Sequence, residues 1–307
     1  MTTMKRASRV FAAGWAIVLW AAADVAGQKP AGAQTWASVG AQLEEERANE
    51  ELQRIPPFKV FDNLYYVGVG YTGSWLLTTT EGLILLDAVD QRYADHVITS
   101  IRKLGFDPNN IRYLIIGQAH ADHLGAAKLI QDMYKARVGM GEADWTFMEQ
   151  TAAAGRLRAD PPRRDLVIRD GDTLTLGNTT LRFYSTPGHT PGTISFEFPV
   201  YDNGKPHVAF VFGGSAPAAG VEAAEQFMKS VERIEQLQNR VEVSVVNHPW
   251  RQMDPEFWSR VDRLQLRKPG EPHPFVDPAR FRAWIKESKA EAAKALREAR
   301  AKSSGGG

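Results

Sequence analysis

A chain of 307 residues, 43% hydrophobic and 24% charged, has the composition of a soluble globular protein and can bury one large core or two small ones. Its formal net charge of +1 points to neither nucleic acid nor an acidic partner surface. There is no cysteine, so disulfides and thiolate chemistry are excluded, and any metal must be held by His, Asp, Glu or an amide oxygen.

Residues 1–33 read as an export signal. Lys5, Arg6 and Arg9 form a basic start, Val10 to Val25 an apolar stretch, and Ala31-Gly32-Ala33 offers the small residues a signal peptidase reads. The apolar run is short for a membrane span and is broken by Asp24. The expectation is a periplasmic or secreted protein with no stable membrane insertion after cleavage.

Residues 34–56 form an N-terminal extension, in which Leu43 to Arg54 predicts a short helix stopped by Pro56-Pro57. Closely spaced strand-like runs follow at Leu64 to Val69, Ser74 to Thr79 and Leu83 to Asp87, as in an antiparallel meander. A helix is expected from Tyr93 to Leu104, a buried strand at Tyr113 to Gly117 and a helix from about Leu124 to Lys135. Gly139 to Arg169 has weak periodicity and reads as a helix and a loop lying over a surface; Trp145 to Met148 would serve either as core or as a pocket wall. Strands resume at Thr173 to Leu176, Leu181 to Ser185, Ile194 to Phe198 and Val208 to Phe212. They are followed by a helix at Ala223 to Leu237, a strand at Val241 to Val246 and further helices. From Lys286 onward the chain is charged and Ala-rich, and Ser303 to Gly307 is expected to be disordered. Two similar halves with helices outside two packed sheets fit this order, as one domain over 57–285 with 286–307 as a tail.

The densest chemistry is Gln118-Ala-His-Ala-Asp-His, directly after the apolar run 113–117. Four side chains able to bind a metal stand within six positions where a strand ends, and imidazole, carboxylate and amide oxygen suit zinc. Read without a metal, the same segment is a polar turn with Asp122 capping the next helix. Two further histidines follow apolar strands in the same way: His189 in Thr186-Pro-Gly-His-Thr-Pro-Gly192 and His248 in Asn247-His-Pro-Trp250. If those strand ends converge, two adjacent metal positions assemble, one from Gln118, His120 and His189 and the other from Asp122, His123 and His248. His96, His207 and His273 are expected to be exposed or structural.

Together with Asp87 closing Leu83-Ile84-Leu85-Leu86, these segments make the chain resemble the metallo-β-lactamase superfamily, most closely its third subclass of metallo-β-lactamases, which uses histidine rather than cysteine in the second metal site. His273-Pro-Phe-Val-Asp-Pro278 is similar to a segment those enzymes carry before their last helix, and the likeness runs from about Pro57 to Arg300. It implies an α/β fold, the four-layer αβ/βα sandwich, holding one or two Zn2+ and acting on a small-molecule substrate. It also implies a zinc-bound hydroxide that opens a β-lactam amide, with Asp122 orienting the nucleophile, Ser215 contacting the substrate carboxylate and Asp87 orienting the ligands from behind. The chain departs from the pattern in two places. Gln118 stands where the family usually has His, which weakens the first position. Phe212-Gly-Gly-Ser215 stands where glyoxalase II and the lactonases place a bridging Asp, which argues against those relatives. The competing readings are a zinc hydrolase of another ester, lactone or amide, and a metal-binding relative weakened at Gln118.

Overall fold

Alternation along the run 83–86 sets the layering. Leu83 and Leu85 join a core cluster with Val97, Ile101, Ile130 and Trp145, whereas Ile84 and Leu86 join another with Phe183, Phe196 and Val211. A strand buried on both faces must lie between two apolar layers, and the computed structural model, which describes residues 35–249 and 253–304, places it there.

The first sheet has the order β1 (Phe58–Phe61), β2 (Leu64–Tyr66), β3 (Trp75–Thr79), β4 (Gly82–Leu86), β5 (Ile111–Ile115), β6 (Arg137–Gly141), β7 (Leu166–Ile168). The β1–β4 meander is antiparallel, and β4 through β7 run parallel. The second sheet comprises β8 (Thr173–Leu176), β9 (Thr179–Ser185), β10 (Ile194–Asp202), β11 (Lys205–Val211) and β12 (Val243–Val245), side by side, with only the β11–β12 pair parallel.

N-terminal to β1 lie α1 (Trp36–Glu45) and α2 (Glu50–Gln53), and helices α3 (Ala94–Lys103), α4 (Ala121–Leu124), α5 (Ala127–Tyr134) and α6 (Glu142–Ala153) follow β4, β5 and β6. Residues of α3 to α6 pack on the outer face of the first sheet. The core between the sheets continues to α7 (Val221–Glu235), α8 (Phe257–Leu266) and α9 (Pro278–Ser304), through Phe227, Val231, Phe257, Phe281 and Trp284. The architecture is the four-layer αβ/βα sandwich.

Several boundaries differ from the sequence reading. The stretch 139–169 is not only helix and loop, since β6 and β7 extend the first sheet on either side of α6. The glycines of Arg137-Val-Gly-Met-Gly141 hide the strand pattern, yet they are what allows it: a Cβ on Gly141 would stand 2.0 Å from the Gly192 carbonyl oxygen. Trp145 and Met148 are core side chains, 0% and 1% exposed.

The 35–56 region forms two helices. Thr35 caps the first, and the Trp36 ring stacks on Trp258 at 5.4 Å. The backbone N–H groups of Trp36 and Ala37 donate to Asp262. At the other end α9 continues to Ser304, into the tail expected to be disordered, because its Ala, Glu, Lys and Arg residues favour helix and Arg300 pairs with Glu225. The signal segment 1–33, Trp250 and residues 305–307 lie outside the described residues. Among the described residues no helix is long and apolar enough to cross a membrane.

His96, His207 and His273 are buried. His96 Nε2 donates to the Gly68 carbonyl, His207 Nδ1 lies 3.2 Å from Glu242, and His273 bridges the Val60 carbonyl and the Phe275 N–H. All three serve the fold.

Candidate metal centre

β4 and β5 are parallel in one sheet, and β9, β11 and β12 share a direction in the other, so the chain leaves all five at the same edge of the sandwich. Asp87, the segment 118–123, His189, Ser215 and His248 each follow one of these strand ends. The helix after β5 starts earlier than the sequence suggested. His120 is the N-cap residue of α4 and makes no side-chain cap bond, so Asp122 lies inside the first turn and does not cap it. Its carboxylate is left to face the histidines.

Asp122, His123 and His248 bring one donor atom each into a group whose members all lie within 4.8 Å of one another. His123 Nε2 is 3.2 Å from His248 Nε2, and Asp122 Oδ2 is 3.6 Å from the first and 3.8 Å from the second. The partners of the far ring nitrogens fix the tautomers. His123 Nδ1 donates to Asp87 Oδ2 at 2.9 Å, and His248 Nδ1 to the Tyr71 carbonyl at 2.8 Å. Both Nε2 lone pairs therefore point at each other, an arrangement that needs a positive charge on it or between it.

Beside this group the His120 and His189 rings meet edge to face at 4.9 Å, and His189 Nδ1 donates to the Ala216 carbonyl at 2.6 Å. Gln118 is 1% exposed and, among the described residues, its Oε1 has no hydrogen-bond partner. A buried amide oxygen left unsatisfied costs about 1–3 kcal/mol, so its pairing by a cation would remove a real penalty. The donor set of Asp122, His123 and His248, two imidazoles and a carboxylate within 4.8 Å of one another, fits a metal.

Burial keeps three of the four imidazoles in ligand form, while carboxylate neighbours draw the fourth, His123, toward its protonated form. Burial pushes His189 and His248 down to about 4 and lowers His120, so all three are neutral at pH 7. Burial would also lower His123, but Asp122 and Asp87 outweigh it and raise its pKa. Burial would raise Asp122, and the charges of His123, His248 and His120 hold it below the usual carboxylate range.

Two buried carboxylates pin the ligand loops. Asp87 also accepts from Gly117 N at 2.7 Å, and its own backbone sits at φ 57°, in the left-handed region. Asp144, on α6, accepts from Ala119 N at 2.9 Å, Thr190 Oγ1 at 2.7 Å and Gly192 N at 2.7 Å. Sequence reasoning missed Asp144, as it missed the Tyr71 and Ala216 carbonyls. A lone Asp near a helix start looks like any solvated first-turn acid until its partners are known. Ser215 follows β11 at partial exposure and lines one small recess with Asn247, His248 and Trp284. Between β11 and Ser215, Gly213 admits no side chain: a Cβ there would stand 2.1 Å from the Ile194 carbonyl oxygen. Phe147 is the one member of the 145–148 segment whose ring approaches a histidine, 6.4 Å from His120.

Residues 67–202 match the family described as the metallo-beta-lactamase superfamily. The chain carries a domain of that superfamily. A probable metallo-hydrolase of Burkholderia pseudomallei (strain 1710b) is 31% identical over 107 residues, 34% of this chain and 35% of that protein. A hydroxyacylglutathione hydrolase of Acidiphilium cryptum (strain JF-5) is 26% identical over 147 residues, 48% of this chain and 47% of that protein. The chain thus spans between about a third and a half of the length of the curated relatives it matches. Among solved structures, BJP-1, a subclass B3 metallo-beta-lactamase of Bradyrhizobium japonicum, superposes with a TM-score of 0.72 at 25% identity, covering 80% of this chain and 95% of that one. Five of the six candidate ligands, Gln118, His120, Asp122, His123 and His189, lie within the matched residues 67–202, and His248 lies beyond them.

Proposed function

We propose that the protein is a zinc-dependent hydrolase that opens the amide of a β-lactam ring. The observation that carries the metal-dependent part is the facing pair of His123 and His248 Nε2 atoms beside the Asp122 carboxylate. Gln118, His120 and His189 would hold one ion, and Asp122, His123 and His248 a second. Zinc bound there supplies a water nucleophile ionised near neutral pH and a Lewis acid for the charge that develops on the substrate.

The chain's own residues do the rest. Asp87, Tyr71 and Ala216 accept the Nδ1 protons of His123, His248 and His189, which turns each Nε2 lone pair toward the centre. Asp122, ionised throughout the neutral range, orients the attacking water and takes its hydrogen bond. Ser215 offers a hydroxyl to the substrate carboxylate from the end of β11. Export through residues 1–33 would put this activity in the periplasm or outside the cell.

The β-lactam reading is supported by the likeness to BJP-1 over almost the whole of that enzyme, and by a β11 end that carries Gly-Gly-Ser in place of a carboxylate. A second reading, hydrolysis of a thioester or lactone, is supported by the likeness to hydroxyacylglutathione hydrolase. Purified, zinc-loaded protein tested against a chromogenic cephalosporin, a carbapenem, a hydroxyacylglutathione and an acyl lactone separates them. Turnover of the first two, abolished by chelation, is expected; none above the chelated control would sink the β-lactamase reading.

A further inference from the structure

The three donors of the first position come from different sheets. Gln118 and His120 follow β5, while His189 follows β9. One buried carboxylate ties the two loops. Asp144 is 0% exposed and its three hydrogen bonds go to Ala119, which lies between Gln118 and His120, and to Thr190 and Gly192, the first and third residues after His189, which close its turn. Thr190 Oγ1 is itself 2.6 Å from Thr193 Oγ1, so the turn is laced to the carboxylate by a buried hydroxyl pair.

Among the described residues no cationic side chain pairs with Asp144. A carboxylate buried on hydrogen bonds alone is expensive, and burial pushes its pKa up to about 6. Joining α6 to two loops for stability alone would be served as well by an apolar contact. What a carboxylate adds is geometry: two acceptor oxygens that hold three donors on two chain segments at fixed separation. An amide cannot replace it, since its NH2 would face an N–H donor.

We propose that Asp144 is a positioning residue that sets the spacing of Gln118 and His120 against His189, and so controls occupancy of the first metal position. This rests on the two-position metal reading given above. Asp87 does the corresponding work at the other position directly, through the His123 ring; Asp144 acts through backbone and a threonine hydroxyl. Because the first position already carries the weak ligand Gln118, it is the more sensitive of the two to a small error in spacing.

The test is cobalt titration, read by visible absorption and by metal content after dialysis, on the full chain and on variants Asp144→Asn, Thr190→Val and Thr190→Ser. Each is repeated in a His248→Ala background, where the first position is read alone. Asp144→Asn is expected to weaken the first position about 10- to 100-fold and to leave the second within about threefold, following the usual effect of losing an outer hydrogen-bond partner of a metal ligand. Thr190→Val should produce a smaller loss of the same kind and Thr190→Ser should restore it. Folded Asp144→Asn protein that binds both ions as the parent does, or that loses both equally, would overturn the proposal. If Asp144→Asn does not fold, the Thr190 pair decides: equal cobalt spectra for the Val and Ser variants would overturn it. A parent protein that binds no cobalt would instead remove the metal centre itself, and this inference with it.

Discussion

His123 and His248 present their Nε2 atoms to each other across 3.2 Å while their Nδ1 atoms are both engaged with oxygen acceptors. Without a metal, that contact is satisfied by a proton on His123, the one imidazole of the cluster whose pKa is raised. A cation and that proton compete for the same space. Zinc binding is therefore expected to release protons, and apparent affinity to fall as pH is lowered. Calorimetric titrations in two buffers of different ionisation enthalpy check this; identical heats in both would contradict it.

Replacing Asp87 by Asn keeps the side chain's shape and a residue type that tolerates φ 57°, while removing the charge that holds the His123 ring. Zinc affinity at the Asp122–His123–His248 position should fall about 10- to 100-fold with the fold intact. Asp87→Ala should in addition lose about 1–2 kcal/mol of stability, because an alanine in the left-handed region is strained. Competition with a chromophoric chelator and a denaturant melt measure the two effects separately.

Gln118→His supplies a stronger ligand at a buried site whose amide oxygen is now unbonded. Tighter zinc binding at the first position, by roughly tenfold or more, is expected from imidazole in place of a neutral amide. Unchanged stoichiometry and affinity would take Gln118 out of the ligand set.

His96 and His273 lie away from the centre, and burial first of all pushes both down to about 4. Burial outweighs the His273 bond to the Val60 carbonyl, which favours the charged ring, and Nδ1 accepts from Phe275 N as only the neutral ring can. The unfolded chain titrates near 6.5, so it binds more protons than the folded one between about 6.5 and 4, and stability falls as pH is lowered through that window. Urea midpoints of metal-free protein should decrease steadily from pH 7 to 4.5, by up to about 1.4 kcal/mol per pH unit for each such group. A midpoint independent of pH in this range would refute the assignment of these two histidines as buried neutral groups.

The helix-and-strand order was legible in the chain because alternation and helical spacing are local signals. Leu83–Leu86 is buried on both faces in the structure, and the motif 118–123 follows a strand in both readings. The missing strands β6 and β7 failed locally for a reason that is not local: Gly139 and Gly141 lack side chains because neighbouring elements fill their space. The six candidate ligands could be picked out by residue type and position after a strand. Their supports could not. Tyr71 and Ala216 contribute carbonyl oxygens, which every residue has, and Asp144 depends on loops 25 and 46 positions away.

At the edge that carries the site, the two sheets touch through backbone. Ile194 N donates to the Gly117 carbonyl at 2.9 Å, and Gly213 packs against both residues with no room for a side chain. Four of the candidate ligands stand on one side of this contact and two on the other. An ion held among them would act as a rivet between halves of the sandwich. Its capture would then report that the halves have docked, and its removal would loosen this contact first while each half keeps its own strands and helices.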